Sequence, residues 1–166
     1  MIESRDEYCF YISYDGLLDP LGNSQILPYI EGLAKNGYKL IIFSFEKTDR
    51  SPELIKNLNI RLESKGINWY YMPFRKQRFG YFRRILKSCY LIKTKLKNKK
   101  FSLFHTRGIT TAIVYFICGF KCPLIYDIRA FSGEYIDCGR VKPKSIFAIY
   151  LRLFERYLIK IASGII

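Results

Sequence analysis

The sequence predicts an α/β domain: a doubly wound parallel sheet with helices on both faces. Three observations predict it. Short apolar runs alternate with longer amphipathic stretches along the whole chain. The runs are almost continuously apolar, the pattern of strands buried on both faces rather than on one. The composition is 49% hydrophobic and 17% aromatic over 166 residues, enough for one core and far from a disordered chain. A chain of this size buries roughly 70% of its unfolded surface, so it needs neither disulfides nor a metal to fold.

The elements follow in order. Residues 8–14 (YCFYISY) read as a buried strand and residues 16–22 as a loop. Residues 24–36 place Ile26, Leu27, Ile30, Leu33 and Ala34 at helical spacing, and Asn36-Gly37 stops the helix. Pro28 sits in or just past the first turn, which predicts a start a residue or two after Ser24. Residues 39–46 (KLIIFSFE) form a second strand. Residues 51–65 form a polar helix with Ser51 as N-cap, Pro52 at its first position and Glu53 in its first turn. Strands at 67–73, 102–106 and 123–128 alternate with helices at 81–97, 110–118 and 144–161, and residues 163–166 read as the opening of a sixth strand. Crossovers between parallel strands are right-handed.

Charge is unevenly spread. The chain carries 28 Lys and Arg against 14 Asp and Glu, a net of +14. Residues 1–74 contribute −2 and residues 75–166 contribute +16, with eleven basic and no acidic residues over 75–100. Such an excess fits a polyanionic neighbour, or simply a solvated helical face. No recognised DNA- or RNA-binding motif accompanies it, which argues against nucleic acid. Cys9, Cys89, Cys118, Cys122 and Cys138 are an odd set without paired spacing, and His105 is the sole histidine, so no metal site and no disulfide framework are expected. The N-terminus lacks a charged n-region followed by an apolar h-region. The longest uncharged stretch, 108–120, is short of the ~18 residues a span needs, so the chain is expected to be soluble or to rest on a surface.

Ligands in open parallel sheets sit beyond the carboxyl ends of the strands. That rule selects Asp15, Gly16, Asp19, Gly22, Asn23 and Ser24 after the first strand, His105 and Arg107 after the fourth, and Asp127, Arg129 and Glu134 after the fifth. The loop bearing Gly16, Gly22, Asn23 and Ser24 suits a phosphate, since glycine lets backbone approach a ligand and helix-start N–H groups hold anions; a tight turn plus helix cap explains it equally. It is neither GxGxxG nor a Walker loop. His105 fits a sugar- or phosphate-binding imidazole, or a packed strand residue. Arg107 fits a diphosphate or carboxylate. Asp127 and Glu134 could form an acid–base pair; equally, Asp127 and Arg129 could be a structural ion pair and Glu134 a helix-start acid. The structural role is favoured for Asp127 and Arg129, and an acceptor-side role for Glu134.

These residues also carry a family resemblance. The stretch Ile12-Ser-Tyr-Asp-Gly16, continuing in Asp19-Pro-Leu-Gly-Asn-Ser-Gln-Ile-Leu-Pro-Tyr-Ile-Glu-Gly-Leu33, resembles the opening of bacterial family 4 glycosyltransferases. The similarity runs on through residues 39–47, His105-Thr-Arg107, Tyr126-Asp-Ile-Arg129 with Glu134, and residues 155–166. The resemblance implies the GT-B fold, two Rossmann-like domains across a cleft, with residues 1–166 as the N-terminal, acceptor-side one. It implies retaining transfer of a sugar from a nucleotide sugar to a glycan or lipid-linked acceptor, without metal or cofactor. Backbone N–H groups and cations would then stabilise the leaving diphosphate. His105 and Glu134 would be the catalytic candidates, and Gly16, Gly22, Asn23, Ser24, Arg107 and Arg129 the substrate- and phosphate-binding ones.

The family's donor-binding half, with its paired glutamates, has no counterpart after Glu155. The chain by itself is therefore expected to be inactive, a truncated gene product or half of a split enzyme whose partner chain supplies the C-terminal domain. Arg75, Lys76, Arg78, Arg83, Arg84 and Lys87, interleaved with aromatics, resemble a membrane-surface segment, which would make the protein peripheral on the cytoplasmic face of the cell membrane. The alternative is a non-catalytic membrane- or glycan-binding module on the same fold.

Overall fold

Alternation along the strands decides which residues meet which helix layer. In β1 (Glu7–Ser13), Phe10 and Ile12 point to one side of the sheet and Tyr11 to the other; all three are buried. β2 (Leu40–Lys47) does the same with Ile41, Phe43 and Phe45 against Leu40 and Ile42. Two cores result. One joins the first set to α3 (Tyr81–Lys95), α4 (Ile109–Cys118) and α6 (Ile146–Ile161). The other joins the second set to α1 (Leu27–Lys35) and α2 (Pro52–Glu63). The computed structural model describes residues 7–74, 81–139 and 141–166.

Six strands form one parallel sheet in the order β3-β2-β1-β4-β5-β6, where β3 is Ile67–Phe74, β4 Lys100–Arg107, β5 Leu124–Asp127 and β6 Gly164–Ile165. This is the doubly wound, Rossmann-like arrangement the apolar runs predict, including the sixth strand, which pairs Gly164 with Ile125 and Ile165 with Tyr126. Strands are added outward in one direction from β1 to β3 and in the other from β4 to β6, and the switch point between β1 and β4 places the crevice.

Two local features depart from the sequence reading. The helical path does not wait for Pro28. It begins at Pro20 and passes through a π-helical turn, Gly22–Ile26, before α1. Pro28 has no N–H to offer the carbonyl four residues back, and its ring crowds that carbonyl; the wider turn absorbs the defect, with the Leu27 N–H bonding Gly22 O. The second departure is α5 (Ser132–Asp137), too short to show helical periodicity. Its anchor is remote in sequence: Glu155 on α6 is buried and accepts from the Ser132 N–H (2.8 Å) and from Ser132 Oγ (2.7 Å). Glu155→Ala leaves both donors without an acceptor. The expected cost is about 2 kcal/mol, read as a melting-temperature drop of about 5 °C.

Of the basic residues expected at a membrane surface, Arg75, Lys76 and Arg78 lie outside the described residues. Arg83 and Lys87 are exposed on α3, while Arg84 lays its guanidinium 4.9 Å from the centre of the Phe74 ring. Among the described residues no helix is long and apolar enough to cross a membrane.

Candidate functional site

The carboxyl ends of the strands bound a cleft of about 820 Å³. Its floor and walls include Tyr14 and Asp15 after β1, Lys47 at the end of β2, Phe74 at the end of β3, Arg107, Gly108 and Thr110 at the β4–α4 turn, and Arg129, Glu134 and Tyr135 after β5.

The first wall is built by a buried carboxylate. Leu40, Ile42, Ser44 and Glu46 occupy every second position of β2 and so share one face; three are apolar or small and the last is an acid with 1% exposure. Glu46 Oε1 accepts from the Leu17 N–H (2.6 Å) and Ser44 Oγ (2.7 Å), and Oε2 accepts from the Leu18 N–H (3.3 Å). Trp69 Nε1 donates to Ser44 Oγ at 2.8 Å, so the chain of bonds runs from β3 through β2 to the loop. Leu17, fully buried, pegs that loop into the second core.

Gly16 and Gly22 are where this packing closes. A Cβ on Gly16 would stand 2.5 Å from Glu46 Oε2, and one on Gly22 only 2.0 Å from Gly16 O. Both glycines are buried, and their close approaches are within the protein, Gly16 to Glu46 and the Phe45 carbonyl and Gly22 to the backbone of Gly16 and Leu17. Asn23 and Ser24 are exposed on the helical turn beyond, where Ser24 Oγ donates to Pro20 O (2.8 Å). Asp19 ties the loop to the end of β2 through Lys47 (2.9 Å) and Arg50 (2.6 Å). Burial alone would raise the Asp19 carboxyl's pKa, but these two cations outweigh it and hold the group below its usual range.

The second wall is ionic. Arg107 and Asp127 are register partners on β4 and β5, and Arg107 Nη1 donates to Asp127 Oδ2 at 3.0 Å. Arg107 Nη2 also bonds Gln25. Arg129 pairs with Asp15 across the cleft mouth. The ion pair expected between Asp127 and Arg129 is thus replaced by two others, because the parallel register sets Arg107, not Arg129, beside Asp127. Glu134 Oε1 accepts from the Phe131 N–H (2.9 Å) at the start of α5, the position of a helix-start acid. α4 begins at Gly108, whose φ of 85° lets the chain turn sharply from strand to helix. No side chain caps α4, so its first N–H groups have no side-chain acceptor, and Gly108 and Thr110 at this helix start line the cleft.

His105 stands two residues below Arg107 on β4, on the face covered by α1. It is 4% exposed, between the rings of Tyr11 (4.6 Å) and Tyr29 (5.4 Å). Its Nδ1 is 3.3 Å from Tyr29 Oη, and its Nε2 lies 3.9 Å from Asp127 Oδ2 with no hydrogen-bond partner. Burial pushes the pKa values of the Tyr11 and Tyr29 hydroxyls up, so both stay protonated at neutral pH.

The structure therefore gathers Arg107, Arg129 and Glu134 on the cleft wall, seats Gly16 and Gly22 beneath it, leaves Asn23 and Ser24 outside, and buries His105 behind it. Sequence reasoning missed Glu46, Lys47 and Thr110. Glu46 had a readable signal, an acid at an inward position of an otherwise apolar strand. Among the described residues no three His, Cys, Asp or Glu side chains come together as metal ligands.

No family model and no curated protein matches this chain. Solved structures share its fold. Sucrose-phosphate synthase from Thermosynechococcus elongatus superposes with a TM-score of 0.64 at 12% identity, over 96% of this chain and 41% of that one. The glycosyltransferase LpCGTa in complex with UDP gives 0.53 at 11% identity, over 96% and 46%. A short-chain dehydrogenase from Oenococcus oeni PSU-1 gives 0.50 at 10% identity, over 93% and 74%. The chain spans less than half the length of either glycosyltransferase, and what it shares with them is a Rossmann-like α/β fold.

Proposed function

We propose that this chain is the acceptor-side domain of a retaining glycosyltransferase that moves a sugar from a nucleotide sugar to a glycan or lipid-linked acceptor. The opposite, donor-binding wall would come from further polypeptide, in the same chain or a partner. One observation carries the reading: the cleft lies at the switch point of the sheet, where the uncapped start of α4 and the guanidinium groups of Arg107 and Arg129 meet on one wall. Oriented N–H groups and cations are what a leaving diphosphate requires. The fold likeness to two glycosyltransferases, one of them in complex with UDP, supports the same reading. Coverage of less than half of each supports the second wall lying elsewhere.

In this reading Glu134, on the wall, meets the acceptor. His105 is a positioning residue. It holds Tyr29 and backs Asp127, which in turn orients Arg107. The glycines shape the loop instead of touching the diphosphate. Arg83 and Lys87, exposed on α3, would face a negatively charged membrane.

The test is a titration of the ¹⁵N-labelled chain with UDP, followed by amide shifts. Shifts are expected at Gly108, Ile109, Thr110 and Arg129, saturating at millimolar concentration because half the site is missing. Shifts confined to α1 or α2, or none at all, would overturn the proposal. The chain alone is expected to leave labelled UDP- and GDP-sugars unchanged; turnover would contradict a donor wall on other polypeptide.

A further inference from the structure

α6 is apolar on too many sides for a helix that covers a sheet. Its inward face is spent on Ala148, Glu155 and Leu158, all buried. Its outward face carries Ile146 at 74% exposure, Tyr150 at 69%, Leu153 at 57% and Tyr157 at 50%. These positions fall three and four residues apart and form one stripe about two-thirds of the length of the ~24 Å helix. A patch of this kind on a monomer marks an interaction surface. Arg152, Arg156 and Lys160 run beside the stripe at four-residue spacing, and Lys142 and Lys144 stand before its first turn, all exposed. The helix has a single acid, Glu155, and it is consumed internally by Ser132.

We propose that this face of α6 docks on an anionic lipid bilayer. The pattern of an apolar stripe, interfacial tyrosines and a flanking row of cations is that of a helix lying in a membrane surface. Charge complementarity selects the occupant. A second copy of the chain would bring the same row of cations against itself across an isologous contact. An anionic headgroup layer meets that row with the opposite sign, and acyl chains take the stripe.

The surface is continuous with the cleft. An apolar groove of about 440 Å³ runs between α4 and α6, lined by Ile113, Phe116, Phe147 and Phe154, and it shares Thr110 and Tyr135 with the cleft wall. A bilayer against α6 therefore lies at the cleft's edge, within reach of an acceptor anchored in it. That last consequence rests on the glycosyltransferase reading. Docking itself does not.

Flotation with vesicles of phosphatidylcholine alone, and with about a third of the lipid replaced by phosphatidylglycerol, tests the proposal at physiological salt. The chain is expected to float with the anionic vesicles and to remain free with the neutral ones. Tyr150→Glu with Leu153→Glu, and separately Arg152→Glu with Arg156→Glu, should each lower the bound fraction at least about tenfold. All four side chains are exposed, so melting temperatures should match the parent chain and loss of binding cannot be loss of fold. Undiminished flotation of both double variants would overturn the proposal, as would no flotation of the parent. Concentration-dependent dimerisation abolished by Tyr150→Glu with Leu153→Glu, with no vesicle binding, would assign the face to a second copy. UDP titration on the same samples separates the two readings. Vesicle binding without shifts in the cleft leaves docking standing and removes the sugar-transfer function; the reverse result does the opposite.

Discussion

Gly22→Ala is expected to cost at least about 3 kcal/mol, read as a fall in melting temperature of about 10 °C and a lowered urea midpoint with unchanged slope. The added methyl has nowhere to go. It would stand 2.0 Å from Gly16 O, 2.7 Å from Leu17 Cα and 2.8 Å from the Leu17 carbonyl carbon, all of them backbone. No rotamer relieves a Cβ clash, so relief comes only by prising the π-helical turn from the loop below. That motion withdraws Leu17 from the core and pulls on the bonds to Glu46. The same substitution at Gly32, which has no atom within 4 Å of a built Cβ, is the control and should be neutral or slightly stabilising, since alanine is the better helix former. Equal effects at the two sites would show that the loop is not packed in this way.

Glu46→Ala is the second large effect, roughly 3–5 kcal/mol, measured by the same denaturation. Alanine leaves the Leu17 N–H, the Leu18 N–H and the Ser44 hydroxyl in a buried place with no acceptor. Glu46→Gln keeps the shape but turns an NH2 group toward donors, so it should recover only part of the loss. If the wall positions ligand as proposed, UDP-induced shifts at Thr110 and Arg129 should weaken in Glu46→Gln even where the protein remains folded. A Glu46→Gln variant as stable as the parent chain would mean that the loop is held by Leu17 and the Asp19 bridges alone.

The sheet was readable because its strands are buried on both faces and stand out as apolar runs; even the two-residue β6 appeared as the end of a pattern. The helix at 52–63 announced itself through Ser51, whose hydroxyl accepts from the Leu54 N–H; the Ser145 hydroxyl does the same for the Ala148 N–H at 146–161, a cap the sequence reading passed over. Less visible were features whose cause lies far along the chain. α5 is held by a glutamate 23 residues onward, and the π-turn by the conflict between Pro28 and an earlier helix start.

At the site, the rule that ligands gather beyond strand carboxyl ends found Arg107, Arg129 and Glu134. It could not assign partners among the charges, because pairing depends on strand register: Arg107 faces Asp127, and Arg129 reaches Asp15. Nor could it separate rim from interior. His105 and Arg107 differ by two residues on the same strand face, which is enough to bury one and open the other.

In the proposed function, the cleft between β1 and β4 serves sugar-nucleotide chemistry. The same fold also occurs in a short-chain dehydrogenase, and the first loop here lacks the GxGxxG pattern of dinucleotide binding. The most direct measurement is a saturation-transfer difference spectrum of the chain with equimolar UDP and NAD. Signals are expected from the UDP protons and none from NAD, with the UDP signals lost in Arg129→Glu. Transfer to NAD alone, or UDP signals indifferent to Arg129→Glu, would contradict it.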